Sequence, residues 1–195
     1  VGSEMCIRDR YLIHMIPIDN ISLTSDGKTK ENKKDNDVYT QIKPLLIGDS
    51  VMVDIGEQFK TKVPKAKIDG KVGRQLYQAE SLVKNQYRHY NKPSDQIILE
   101  LGTNGDFTKE QLDNLIDKFG KAQVYLVNTR VPRPYESHVN ELMAKAAKNK
   151  KNVTLIDWYS RSKGHTKYFA PDGIHLENDG VETFTDEILK NIKKK

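Results

Sequence analysis

The 195-residue chain has little cysteine and little tryptophan: one of each. A lone Cys6 excludes any disulfide within the chain, so cohesion has to come from a packed core. No stretch approaches the roughly 20 apolar residues that cross a bilayer as a helix. The most apolar early piece, Tyr11 to Ile18, is short and interrupted by Pro17. It also lacks the small-residue cleavage site of a secretory signal. Internal repeats are missing too. No His, Cys or carboxylate cluster has metal-ligand spacing, so neither a metal nor another cofactor is expected. Aromatic RNA-binding motifs and zinc-finger spacings are lacking, which argues against nucleic acid as a partner.

Charge is abundant instead. Lys and Arg number 32 against 27 Asp and Glu, a net of +5. Residues 1–37 hold six basic and seven acidic side chains, so the positive excess lies in the remainder. Lysine-rich helix faces and the tail Lys193-Lys194-Lys195 keep a protein soluble, and they also attract an anionic polymer such as a cell wall. Ser25 to Asp37 has no large apolar residue and reads as a flexible linker. Val1 to Arg10 shows no apolar period and reads as a non-native flank. The expected division is a flanking segment and linker over 1–37 and one domain over 38–195.

Within that domain strands and helices alternate. Pro44–Ile47, Ala66–Asp69, Gln96–Leu101, Val124–Val127 and Val153–Asp157 read as buried strands. Helical spacing of apolar residues predicts helices over Val51–Lys60, Arg74–Tyr90, Lys109–Phe119, Tyr135–Asn149 and Asn178–Ile192. Five such β-α units imply a parallel sheet covered by helices on both faces. Ligands of such sheets bind beyond the carboxyl ends of the strands.

Four motifs fall at those ends. Gly48-Asp49-Ser50 follows the first strand. Asp and Ser there are good helix caps, but a serine at a helix N-terminus can also be a nucleophile beside free N–H groups. Gly70-Lys71-Val72-Gly73-Arg74 follows the second strand. It is a turn, or a place where the Gly73 N–H can approach a substrate oxygen. Gly102-Thr103-Asn104-Gly105 follows the third strand, as an Asn-Gly turn or as a side-chain amide aimed at an oxyanion. Asp172-Gly173-Ile174-His175 places a carboxylate three residues before an imidazole, the arrangement that orients a general base. His14, His89, His138 and His165 have no such local carboxylate, although Asp106 or Asp157 could reach one of them in space. Taken singly, capping and turn formation are the commoner readings. Taken in order on one sheet, the four converge on one edge.

That ordered set resembles the SGNH, or GDSL-like, hydrolase superfamily, through GDS (48–50), the glycine of GKVGR (70–74), GTNG (102–105) and DGIH (172–175). The resemblance implies a flavodoxin-like three-layer α/β/α sandwich with a five-stranded parallel sheet. It further implies a triad of Ser50, Asp172 and His175, with an oxyanion hole made by the Ser50 and Gly73 N–H groups and the Asn104 amide. Over residues 44–190, LLIGDSVMVDIG, IDGKVGRQ, ELGTNG, YLVNTRVPR, IDWY and YFAPDGIHL resemble the extracellular C-terminal domain of Gram-positive peptidoglycan O-acetyltransferases. In that family a membrane acyltransferase domain, absent from this chain, precedes the SGNH domain and delivers acetyl outward. The implied partners are that domain and peptidoglycan glycan strands. The implied place is the extracellular face of the membrane or the wall. The implied product is acetyl on the C6 hydroxyl of muramoyl residues, which blocks lysozyme. Arg74, Arg130, Arg133, Trp158 and Tyr159 are candidates for glycan contact; against that stands the plainer reading that Trp158 and Tyr159 pack the sheet edge and the arginines are solvated. An extracellular esterase acting on glycans or small esters, and a non-catalytic carbohydrate-binding domain, remain as alternatives. The intact Ser50, Asp172 and His175 argue against the last.

Overall fold

The computed structural model describes residues 39–192. Cys6, His14, the expected linker and the basic tail lie outside the described residues. Five strands, β1 (Leu45–Gly48), β2 (Lys67–Gly70), β3 (Gln96–Glu100), β4 (Gln123–Val127) and β5 (Val153–Ile156), form one parallel sheet in the order β2-β1-β3-β4-β5. Helices α1 (Ser50–Lys62), α2 (Leu76–Leu82), α3 (Lys109–Asp117), α4 (Glu136–Asn149), α5 (Trp158–Arg161) and α6 (Asn178–Asn191) complete the fold.

The three layers follow from a period of two along the inner strands. Leu45 and Ile47 of β1, with Ile97 and Leu99 of β3, face one way. There they meet Leu76, Ala79, Leu112, Leu115, Val139 and Met143 of α2, α3 and α4. Leu46 and Ile98 face the other way, against Met52, Ile55 and Phe59 of α1 and Phe184 and Ile188 of α6. Each fully buried side chain of this size contributes about 1.5–3 kcal/mol of transfer free energy. The central strands are therefore apolar on both faces, as parallel strands between helices must be. The edge strand β2 is more open and carries Lys67 and Asp69.

Two expectations need correction. The second helix begins at Leu76, not Arg74, because Gly70 to Arg74 is consumed by a turn in which Arg74 N donates to the Lys71 carbonyl (3.1 Å). It also stops short of Tyr90 and widens into a π-helical turn over Val83–Tyr87. That register turns Val83 and Tyr87 into the core and leaves the three residues between them outside. The segment after β5, expected as a loop, contains α5 and a 3-10 turn at Thr166–Tyr168.

β1 lies between β2 and β3, so the chain leaves its end in one direction and later returns to pair on the other side. This is the switch point of the sheet, where an open α/β fold forms its crevice.

Candidate active site

Asp49 and Ser50 emerge at that switch point. Asp49 caps α1: its Oδ1 accepts the Val51 N–H (3.0 Å). The capping expected of Gly48-Asp49-Ser50 thus falls to the aspartate, and Ser50 opens the helix with its side chain free of that duty. Ser50 is only 5% exposed. A hydroxyl there sits in the field of the α1 N-terminus, which favours developing negative charge.

Gly48 shows why this turn is so tight. A Cβ at that position would lie 2.5 Å from Met52 Cβ, 2.7 Å from Glu100 Oε2 and 2.9 Å from the Glu100 carbonyl oxygen. Only glycine lets β3 approach this closely. The approach permits Glu100 Oε2 to accept the Asp49 N–H (3.1 Å). Asp49 Oδ2 in turn accepts the Thr103 hydroxyl. Thr103 Oγ1 accepts one N–H of the Asn104 amide (3.0 Å). The same amide also lies close enough to Asp49 to favour its carboxylate, so Asn104 is held against both Thr103 and Asp49. Tyr135 of the α4 N-cap donates its hydroxyl to the Thr103 carbonyl (2.8 Å), closing the loop from outside.

The turn after β2 joins the same cluster. Lys71 N donates to the Gly48 carbonyl (3.2 Å). Arg74 Nη1 reaches that carbonyl as well (3.0 Å), while Nη2 pairs with Asp69 (2.6 Å). Asp69 also accepts the Tyr87 hydroxyl (2.7 Å). Gly73 takes φ +74, a left-handed conformation, and an added Cβ would meet nothing within 4 Å. The space on its Cα is therefore open, so no side chain blocks approach to this turn.

The fourth motif approaches α1 from the other side. His175 Nδ1 lies 2.6 Å from Asp172 Oδ2. Asp172 Oδ1 accepts the N–H groups of Ile174 (2.9 Å) and His175 (3.1 Å), so the carboxylate is fixed by its own turn. A bridge between Phe169 and Leu176 closes the loop at its base. The Asp172 hydrogen bond raises the His175 imidazole above its ordinary value, and partial burial opposes it. The same bond, then the Ile174 N–H, lowers Asp172. Asp54, one turn along α1 from Ser50, accepts the Leu176 N–H (3.0 Å). The histidine loop is thereby tied to the helix that begins with the serine.

The structure thus gathers the four motifs around the N-terminus of α1. Two of the expected glycan contacts do not stand. Arg74 is 5% exposed and its guanidinium is spent on Gly48 and Asp69, so it braces two strand ends. Trp158 is 2% exposed and packs on Tyr168, Phe169 and Phe184. Tyr159 and Arg130 differ: Arg130 lies over the Tyr159 ring at 4.6 Å. Both line a cavity of about 650 Å³ together with Glu136, His165, Phe169 and Gly173. The Asp172 loop forms one wall, since Pro171 and Gly173 also border it. Arg133 is exposed near the rim. His138 meets Asp106 at 2.7 Å, the spatial pairing left open by the sequence.

Asp54, Glu100 and Thr103 were missed as site residues. Asp54 and Glu100 sit inside regular elements with nothing local to mark them. Thr103 lies within the third motif, beside a more conspicuous asparagine.

No family model matches the chain. It is 66% identical over 193 residues to a candidate O-acetyltransferase of Staphylococcus aureus strain COL, across 98% of this chain and 32% of the relative. It is 57% identical over 150 residues to the O-acetyltransferase OatA of S. aureus strain NCTC 8325, across 77% of this chain and 25% of OatA. The chain therefore spans about a third or less of the curated relatives it matches. Its fold superposes with a TM-score of 0.66 on the C-terminal catalytic domain of Streptococcus pneumoniae peptidoglycan O-acetyltransferase A, solved with a methylsulfonyl adduct. That match has 20% identity and covers 75% of this chain and 90% of the other.

Proposed function

We propose that the chain, which has the fold of the SGNH (GDSL-like) hydrolases, is the acyl-transfer domain of a peptidoglycan O-acetyltransferase. The observation that carries this reading is the Asp172–His175 pair, on a loop tied through Asp54 to the helix that opens with Ser50. A charged carboxylate on Nδ1 leaves Nε2 as the basic nitrogen.

In the proposed reaction His175 takes the Ser50 hydroxyl proton as Oγ attacks the carbonyl carbon of an acetyl donor. The tetrahedral oxyanion receives the N–H groups of Ser50 and Gly73 and the Asn104 amide. Collapse expels the donor's leaving group, which takes the proton back from His175. A sugar hydroxyl then attacks acetyl-Ser50, gives its proton to His175, and leaves as the acetyl ester while Ser50 is restored. The acceptor in this reading is the C6 hydroxyl of muramoyl residues, and the consequence is lysozyme resistance. The donor side is supplied by an integral-membrane acyltransferase domain outside this chain, which places the site on the extracellular face of the membrane. Arg130, Tyr159 and Arg133, in and beside the cavity against the Asp172 loop, are the proposed glycan contacts.

One observation favours a second activity. The His175 and Asp172 side chains are 44% and 46% exposed, so water can reach the acyl-enzyme and release acetate. An acetyl-ester donor supplied with and without muramoyl-containing glycan oligomers separates the two. Acetylated glycan formed by the wild type and lost in Ser50→Ala supports transfer. Free acetate unchanged by glycan leaves only the esterase, and full activity in Ser50→Ala removes the site assignment altogether.

A further inference from the structure

Glu100 is a carboxyl inside the sheet, 3% exposed, with no part in the reaction just described. Its Oε2 accepts the Asp49 N–H (3.1 Å), which brings the two buried carboxyl groups together at the end of β1. Asp49 is itself fully buried. Two carboxylates this close, this far from water, cannot both be ionised without a large penalty. Among the described residues no buried cation is paired with them. Arg74, the buried guanidinium nearby, is committed to Asp69 and two carbonyl oxygens. The other titratable groups that sense the Asp49 charge are Asp54, Tyr135 and His175.

Both members are supplied with donors: Asp49 receives the Val51 N–H on Oδ1 and the Thr103 hydroxyl on Oδ2, and Glu100 receives the backbone N–H groups of Asp49 and Met52. The hydroxyl on Asp49 suits it to be the ionised member, and Glu100, deeper in the sheet, to be the one that holds the proton. Burial is the leading cause that pushes Glu100 well above its ordinary range, followed by the Asp49 charge.

We propose that Glu100 and Asp49 share one proton, and that this pair is a positioning device that sets the Ser50 turn and the Asn104 amide as one unit. The inference rests on the reading of Ser50 and Asn104 as nucleophile and oxyanion donor. The path is continuous: Glu100 to Asp49, Asp49 to the Thr103 hydroxyl, and Thr103 to one Asn104 N–H. It fixes the rotamer of the Asn104 amide through Thr103. Gly48 makes the path possible, because any side chain there would collide with Glu100.

The test compares Glu100→Gln, Glu100→Ala and Thr103→Val in the full chain, with 4-nitrophenyl acetate as the ester probe and melting curves as the control for folding. Glutamine reproduces a protonated glutamic acid, with one donor for Asp49 and one acceptor for its N–H. Alanine at 100 lowers kcat about tenfold or more with KM little changed, and glutamine rescues it to within about threefold. Thr103→Val lowers kcat by a similar factor as alanine. Isotope-edited infrared spectra with labelled glutamate show a protonated carboxyl stretch at neutral pH that Glu100→Gln abolishes. If alanine does not fold, the glutamine variant, Thr103→Val and the infrared band carry the test. A glutamine variant that melts like wild type yet is as inactive as Ser50→Ala overturns the proposal. So does the absence of the infrared band, or a Thr103→Val variant with wild-type kcat. The infrared band does not depend on catalysis, so loss of the Ser50 reading and loss of the proton-sharing pair are distinguishable.

Discussion

The two halves of the site are built differently. The half that carries the proposed nucleophile, at the ends of β1, β2 and β3, is cross-linked, and its Asp49, Glu100, Thr103 and Arg74 are all buried. The base half is a surface loop. Its Asp172 and His175 side chains are nearly half exposed, and it is held to the nucleophile helix through the Asp54–Leu176 bond and to the rest by its own turn. An oxyanion hole gains most from rigidity, because its donors must already point where charge will develop. A general base has to pick up and release protons, and proximity to water with local orientation by a carboxylate serves that.

Four substitutions break or sharpen this contrast. The largest effect is expected at the exposed half. Asp172→Asn removes the carboxylate that orients His175 and lowers kcat by about 10³–10⁴-fold. It also moves the pH profile. The base works when neutral, and Asp172 is the leading cause raising His175, so the acidic limb of kcat/KM in the wild type lies above the ordinary histidine value of about 6.5. In Asp172→Asn that limb shifts to lower pH, although Asp54 and Asp49 still raise His175 somewhat. A limb that stays in place shows that another group sets it.

Next comes Asn104→Ala in the buried half, expected to lower kcat about 10²–10³-fold with KM little changed. Single-turnover acylation rates check that the loss falls on the chemical step. Gly48→Ala follows. The collision with Met52 and Glu100 is expected to cost about 3 kcal/mol, read from denaturant unfolding at unchanged m-value. Smallest is Asp54→Ala. Losing one hydrogen bond to a charged acceptor lowers kcat roughly tenfold while leaving the melting temperature within a few degrees. Should Asp54→Ala instead melt far below wild type, the loop is part of the core and the contrast between the halves fails.

Much of the fold was legible. Strands such as Gln96-Ile97-Ile98-Leu99 and helices with apolar residues three and four apart follow from local periodicity alone. The ordered strand-end motifs were legible for the same reason, since each is a short run whose place after a strand can be read directly. Errors appeared where burial depends on distant packing. Arg74 reads in sequence as solvated or glycan-facing, yet it is almost wholly enclosed, and of the two readings open for Trp158 the structure takes packing. The helix boundary at Leu76 and the π turn at Val83–Tyr87 depend on how the β2 turn and the core take up the chain.

What the sequence determined by itself was the proposed set of reactive groups and their order along one sheet: Ser50, Gly73, Asn104, and the Asp172–His175 pair. Helical and strand periods act over a few residues, and so do the turns that carry those groups. What only the tertiary structure decided was how they are held. Glu100 reaches Asp49 across 51 positions, Thr103 reaches Asp49 across 54, and Leu176 reaches Asp54 across 122. Such bonds leave no local pattern, because nothing near a buried carboxylate in the chain states which strand end will meet it. They exist only once the sheet order puts β3 beside β1 and α1 beneath the histidine loop.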